Sequence, residues 1–202
     1  MRFFSLAAAT TLCLSLAQPA FAAPEQYEFD KAHTQVLFFV NHLGFSNSQG
    51  EFLDYDGGFT FDEENPENSS VEVTFNIDGL DMDDEKWDAH LKNPDFFNME
   101  EYPTMTFKST DVEVTGENTG NITGDLTILG VTKPVVLETV FNKADVHPYS
   151  GKHVAGFSAN SKINRSDFGM DYGLPGIGDE VIIRIEVEGV RVEPAEETET
   201  EE

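Results

Sequence analysis

The sequence predicts an all-β protein of about eight strands with one short helix, folded as a closed antiparallel β-barrel or a sandwich, with the barrel favoured. Three observations lead there. Period-two alternation of apolar and polar residues recurs along most of the chain, the pattern of strands with one dry face and one wet face. Several of these segments are longer than the roughly five to six residues usual in globular strands, and long tilted strands favour closure because a closed barrel has no exposed edge. Finally, 17 phenylalanines against one tryptophan in so charged a chain supply apolar area that needs no polar partner.

The elements follow in order. Residues 1–22, "MRFFSLAAATTLCLSLAQPAFA", place one positive charge before an apolar run and close on Ala20-Phe21-Ala22, the plan of a secretory signal peptide cleaved after Ala22. The lone cysteine, Cys13, lies inside that leader, with Leu12 where a lipoprotein site wants a small residue. The exported chain is therefore expected to carry no disulfide and no cysteine-ligated metal. Strands are expected over 27–30, 35–43, 51–61, 70–78, 104–114, 121–130, 134–145, 154–164 and 180–190. In "SVEVTFNID" Val71, Val73, Phe75 and Ile77 share a face, and in "EVIIRIEVEGV" Val181, Ile183, Ile185 and Val187 do the same. Turn-rich stretches such as "DEENPENSS" and "HPYSGK" separate the strands. "DMDDEKWDAHLK" (81–92) reads as the helix, with acids in its first turn, Lys92 at its end and Asn93-Pro94 stopping it. Gly130 permits a turn, and Pro134 is placed at a strand's first residue, where a missing N–H does least harm. Residues 193–202, "EPAEETETEE", read as a disordered acidic tail.

The formal net charge is −26, which opposes nucleic acid and anionic lipid surfaces and favours basic docking partners. None of the five histidines forms an H-x-x-x-H or H-x-H pair. Asp84 and Asp88 lie near His90 on the expected helix, the makings of a two-carboxylate, one-histidine metal site. Any acidic helix start gives the same spacing, so no metal is assigned and His90 is read as an anchor over Leu91, Phe96 and Phe97. No G-x-S-x-G, Walker or dinucleotide-binding glycine pattern occurs, and no catalytic residue is assigned.

Three blocks resemble the signatures of the YceI-like family: "VNHLGFSNSQGEFLDYDGGFTFD" (40–62), "HLKNPDFFNMEEYPTMTF" (90–107) and "ITGDLTILGVTKPVVL" (122–137). "AGFSANSKINRSDFGM" (155–170) and the last strand continue the likeness to about residue 192, which makes 23–192 one barrel domain. The resemblance implies a lipocalin-like closed antiparallel β-barrel of eight strands, exported to the periplasm, that holds a polyisoprenoid or similar long-chain amphiphile, such as a polyprenyl quinone or phosphate, in an elongated apolar lumen. It implies no cofactor beyond that ligand, and a membrane electron-transfer or lipid-processing partner. On this reading Phe38, Val40, His42, Phe52, Phe75, Phe96, Phe107 and Phe157 are expected to face the ligand, with Phe59, Phe61 and Phe141 also on strands. Asn41, Ser46 and Arg165 join His42 as head-group candidates. Leu37 and Phe39 fall on the outer face, either as a homodimer contact or, in the preferred reading, beneath the helix. Two other readings stand beside the carrier: a stress-protective barrel filled by its own phenylalanines, and an enzyme acting on a lipid.

Overall fold

The computed structural model describes residues 23–193 of the 202-residue chain; the expected leader and most of the expected acidic tail lie outside the described residues. Eleven strand segments run β1 (Glu25–Phe29), β2 (Gln35–His42), β3 (Ser46–Phe52), β4 (Tyr55–Phe61), β5 (Ser70–Asn76), β6 (Leu80–Asp81), β7 (Thr104–Val114), β8 (Thr119–Ile128), β9 (Val131–Val146), β10 (His153–Asn164) and β11 (Ile177–Arg191). Every pairing is antiparallel, in the ring β1-β4-β5-β7-β8-β9-β10-β11, which closes where β11 meets β1. That is an eight-stranded closed barrel.

The remaining segments extend the first three barrel strands. β11 pairs with β1 near Gly189 and with β2 from Glu186 back to Ile177, so β1 and β2 are one strand interrupted at 30–34. β3 and β4 are likewise one strand broken at Leu53-Asp54, and β5 continues into β6 through the 3-10 turn Ile77–Gly79. The single strand expected over 51–61 is therefore bent and starts earlier, at Ser46. The bends are held by backbone bonds between neighbours: the amide of Leu53 donates to Gly79 and that of Asn76 to Asp54. Such breaks curve a sheet enough to close it.

Pro134 is not the first residue of its strand. β8 and β9 turn through Leu129 and Gly130, both at positive φ (51° and 72°), so β9 begins at Val131 and Pro134 lies within it opposite Asp125. β10 joins β9 only from Glu138 onward, so at Pro134 one side of the strand needs no donor.

The helix is shorter than the charge pattern suggests. α1 (Glu85–Leu91) starts after Asp84, whose carboxylate accepts from the amides of Lys86 and Trp87, a standard N-cap. Asp88 turns back to accept from the amide of Met82, and Lys92 Nζ donates to the Asp78 carbonyl at 2.6 Å. These bonds lash α1 to the β5–β6 bend at one end of the barrel. Leu91, Phe97 and Met99 pack inward against the main core.

Candidate functional site: an apolar lumen

Inward side chains do not fill the barrel. A cavity of about 720 Å³ runs inside it, touched by residues of both ends and within the size range of small-molecule sites. The alternation of the strands creates it: Val71, Val73 and Phe75 on β5, Ile122, Leu126 and Ile128 on β8, and Val181, Ile183, Ile185 and Val187 on β11 all face it.

Two apolar groups bound the lumen. Towards the helix end, Phe52 is the hub: its ring centroid lies 5.6 Å from Phe38, 5.5 Å from Phe75 and 5.9 Å from Phe97. Towards the opposite end, Phe157 packs against Phe61 at 5.1 Å, Phe59 at 5.6 Å and Phe141 at 5.4 Å, backed by buried Tyr27 and Ala155. Aromatic pairs at these separations favour the tilted and edge-on arrangements seen here.

At the helix end the rim carries His42, Trp87, His90 and Tyr172. His42 lies 5.9 Å from Trp87. His90 meets Phe96 and Tyr172 edge-on at 5.1 and 5.6 Å, and its Nε2 is 3.3 Å from Asp95. Leu43 and Phe45, on the β2–β3 hairpin beside this rim, are 55% and 89% exposed. At the other end the rim is acidic, with Glu63, Glu113 and Glu117.

The residues expected to face a ligand all border this one space: Phe38, Val40 and His42 on β2, Phe52 on β3, Phe75 on β5, Phe107 on β7 and Phe157 on β10, with Phe96 from the corner after α1. Among the head-group candidates, Asn41 touches the cavity, although its Oδ1 already accepts from the amide of Gly44. Ser46 pairs across the hairpin with His42, yet it is exposed and lies outside the lining. Arg165 is a correction of a different kind. Its side chain is 4% exposed and donates to four backbone carbonyls: Nε to Gly178, Nη1 to Met170, and Nη2 to Tyr172 and Ile177. Burial lowers its pKa from the usual guanidinium value, opposed by Asp179 and Asp171. Arg165 staples the 165–178 loop and has little left to offer a head group.

The outer face of β2 also differs from the preferred expectation. Trp87 of α1 sits against inward-facing His42, whereas Phe39 lies under the Arg184 guanidinium at 5.3 Å, a cation–π contact on the barrel wall. Nor do Asp84, Asp88 and His90 converge, since the first caps the helix, the second holds Met82 and the third turns to Asp95. Sequence spacing missed the group that does converge among the described residues: Asp30, His33 and Glu188, with ligand-type atoms within 4.8 Å of one another. Asp30 and His33 lie three residues apart, but Glu188 reaches them only through the pairing of β1 with β11. There the hydrogen bond between His33 and Asp30 raises the histidine pKa and lowers that of the carboxylate.

Fold and lumen together define a closed antiparallel barrel built around an apolar cavity. The chain belongs to the YceI-like family, whose domain model matches residues 27–189. Protein YceI of Escherichia coli (strain UMN026) is 44% identical over 172 residues, covering 84% of this chain and 89% of that one. A crystal structure of the Campylobacter jejuni YCEI protein superposes with a TM-score of 0.70 at 35% identity, covering 76% of this chain and 90% of that one. A polyisoprenoid binding domain from Saccharophagus degradans, implicated in plant cell wall breakdown, shares the fold at a TM-score of 0.64 and 11% identity, over 83% and 99% of the two chains.

Proposed function

We propose that this protein is an exported carrier that holds one long-chain isoprenoid amphiphile in its lumen, and that it binds rather than transforms its ligand. The observation that carries the reading is the continuous apolar lining from the helix end to the Phe59–Phe61–Phe141–Phe157 group. A chain laid along it is held by area removed from water, at roughly 25 cal/mol per Å². About 400 Å² of buried tail corresponds to roughly 10 kcal/mol before the costs of ordering the chain are subtracted. Affinity of this kind is loose about tail chemistry and strict about bore and length.

The head group is neutral on this reading: a quinone, phenol or alcohol. Among the described residues Arg165 is the sole cationic side chain bordering the cavity, and its donors are engaged by carbonyls. A phosphate in the lumen would meet no free cation at the helix end and three glutamates at the other, a costly burial of charge. His42 and His90 supply hydrogen bonds to a neutral oxygen at the helix rim. The leader expected over residues 1–22 supports export to the periplasm, and a net charge of −26 suits a basic membrane-bound partner for loading.

Trp87, the single tryptophan, lies at the rim and reports occupancy. Titration of delipidated protein with a prenylquinone is expected to quench its fluorescence saturably at one ligand per barrel, and a prenyl phosphate of equal tail length to bind much more weakly. Linear, non-saturating quenching would overturn the carrier reading; equal affinity for the phosphate would overturn the neutral head.

A further inference from the structure

Two inward-facing wall positions where a side chain would normally project are glycines, each covered by a lumen phenylalanine. Gly50 on β3 is paired directly across the sheet with Phe38, and a methyl group added there would overlap the Phe38 ring and Met82 Sδ. Gly189 on β11 lies under Phe59, and a methyl group there would overlap that ring. Neither glycine has a positive φ, so neither is needed for backbone conformation. Both are buried, and both phenylalanines border the cavity. A third glycine, Gly124 under Phe107, repeats the pattern, but there an added methyl would also strike the Lys108 carbonyl, so backbone spacing alone accounts for it.

We propose that Gly50 and Gly189 are specificity-determining residues of the lumen: each is a recess that lets a phenylalanine lie back against the wall, and together they set the bore at two levels. The inference rests on the carrier reading and deepens it. Absence of a side chain in a strand permits close approach, and an aromatic ring covering a bare glycine restores the packing a strand loses there. The gain to a ligand is room. With the ring recessed, the lumen keeps the width of an extended chain past the aromatic. With a methyl in the recess, the ring must swing towards the axis, because the wall behind it is a paired strand. The two levels are distinct: Phe38 belongs to the core at the helix end, and Phe59 packs with Phe61 and Phe157 towards the opposite end. A ligand with its head at the helix rim passes Gly50 whatever its length, and reaches Gly189 only with a long tail.

The test uses the full exported chain and a ladder of prenylquinones of increasing tail length, read by Trp87 quenching and native mass spectrometry. Gly50→Ala is expected to weaken binding of every rung, and Gly189→Ala only of the longer ones. Each loss should be roughly tenfold, the effect of losing about 55 Å² of chain contact. The double variants Gly50→Ala with Phe38→Leu, and Gly189→Ala with Phe59→Leu, remove the displaced ring, and are expected to fold and recover the wild-type length profile even where the single variant folds poorly. Folded alanine variants with an unchanged profile, or folded double variants that recover nothing, would overturn the recesses while leaving the carrier intact. A wild-type barrel that takes up no rung would overturn the carrier reading and this inference with it.

Discussion

Replacing Arg165 by methionine separates a structural role from a ligand-binding one. The four carbonyls it serves belong to Met170 and Tyr172, in the loop that leads from β10 into β11, and to Ile177 and Gly178, the first residues of β11. Each buried carbonyl left without a donor costs about 1–3 kcal/mol. The four do not simply add, since the loop can open to water and the variant also escapes burying a charge. A net loss of about 3–5 kcal/mol is expected, the usual range for removing one side of a buried charged network. For a barrel of this size that lowers the melting temperature by roughly 10 °C. Arg165→Lys keeps the charge but not the planar fork, and should lose about half as much. Urea unfolding of the two variants beside the wild type measures both numbers. An unfolding midpoint for Arg165→Met within error of the wild type would refute the staple. So would a lysine variant of native stability with weakened quinone binding, which is the signature of a head-group ligand.

Three further outcomes test other parts of the structure. Asp84→Ala removes the cap on α1 and should cost about 1 kcal/mol; amide exchange should quicken at Lys86 and Trp87, and unchanged exchange there would contradict the cap. Tyr27 is pushed up to about 12, chiefly by burial and then by the hydrogen bond it donates to Glu25. Since its folded pKa is raised, its contribution to stability is complete below the ordinary tyrosine value of about 10 and is lost as pH rises towards 12; an ultraviolet titration should lose that late step in Tyr27→Phe. The His33–Asp30 pair raises the histidine and lowers the carboxylate, each mainly through their shared hydrogen bond. Its small contribution is therefore fullest between about pH 4 and 6.5, declining above as His33 deprotonates and below as Asp30 protonates. The stability difference between His33→Ala and the wild type, followed across pH, should show that plateau, and a flat difference would contradict it.

Much of the barrel was legible because alternation is a local property. Val71-Val73-Phe75 and Val181-Ile183-Ile185-Val187 announce their inner face without reference to any neighbour, and in the structure both rows face the cavity. What escaped was set by partners distant in sequence. The bend at Leu53-Asp54 depends on Gly79 and Asn76 across the sheet. The fate of Arg165 depends on carbonyls up to 13 residues downstream, which no motif announces, so in the sequence it reads only as a polar head-group candidate near the barrel mouth. Ser46 lies outside the lining although its cross-strand partner His42 borders the cavity, a difference that alternation alone does not decide. The covered glycines are the extreme case, since a glycine in an alternating strand signals only a weakness until the ring lying on it is seen.

The central claim is that the lumen is occupied by a lipid in the cell. Native mass spectrometry of the protein purified gently from the periplasm of the cells that produce it, with organic extraction of the same sample, tests this most directly. The account predicts a discrete added mass, one per barrel, that extracts as a neutral isoprenoid. A bare polypeptide mass, together with failure to take up added prenylquinone, would contradict it and leave a barrel whose phenylalanines serve only one another.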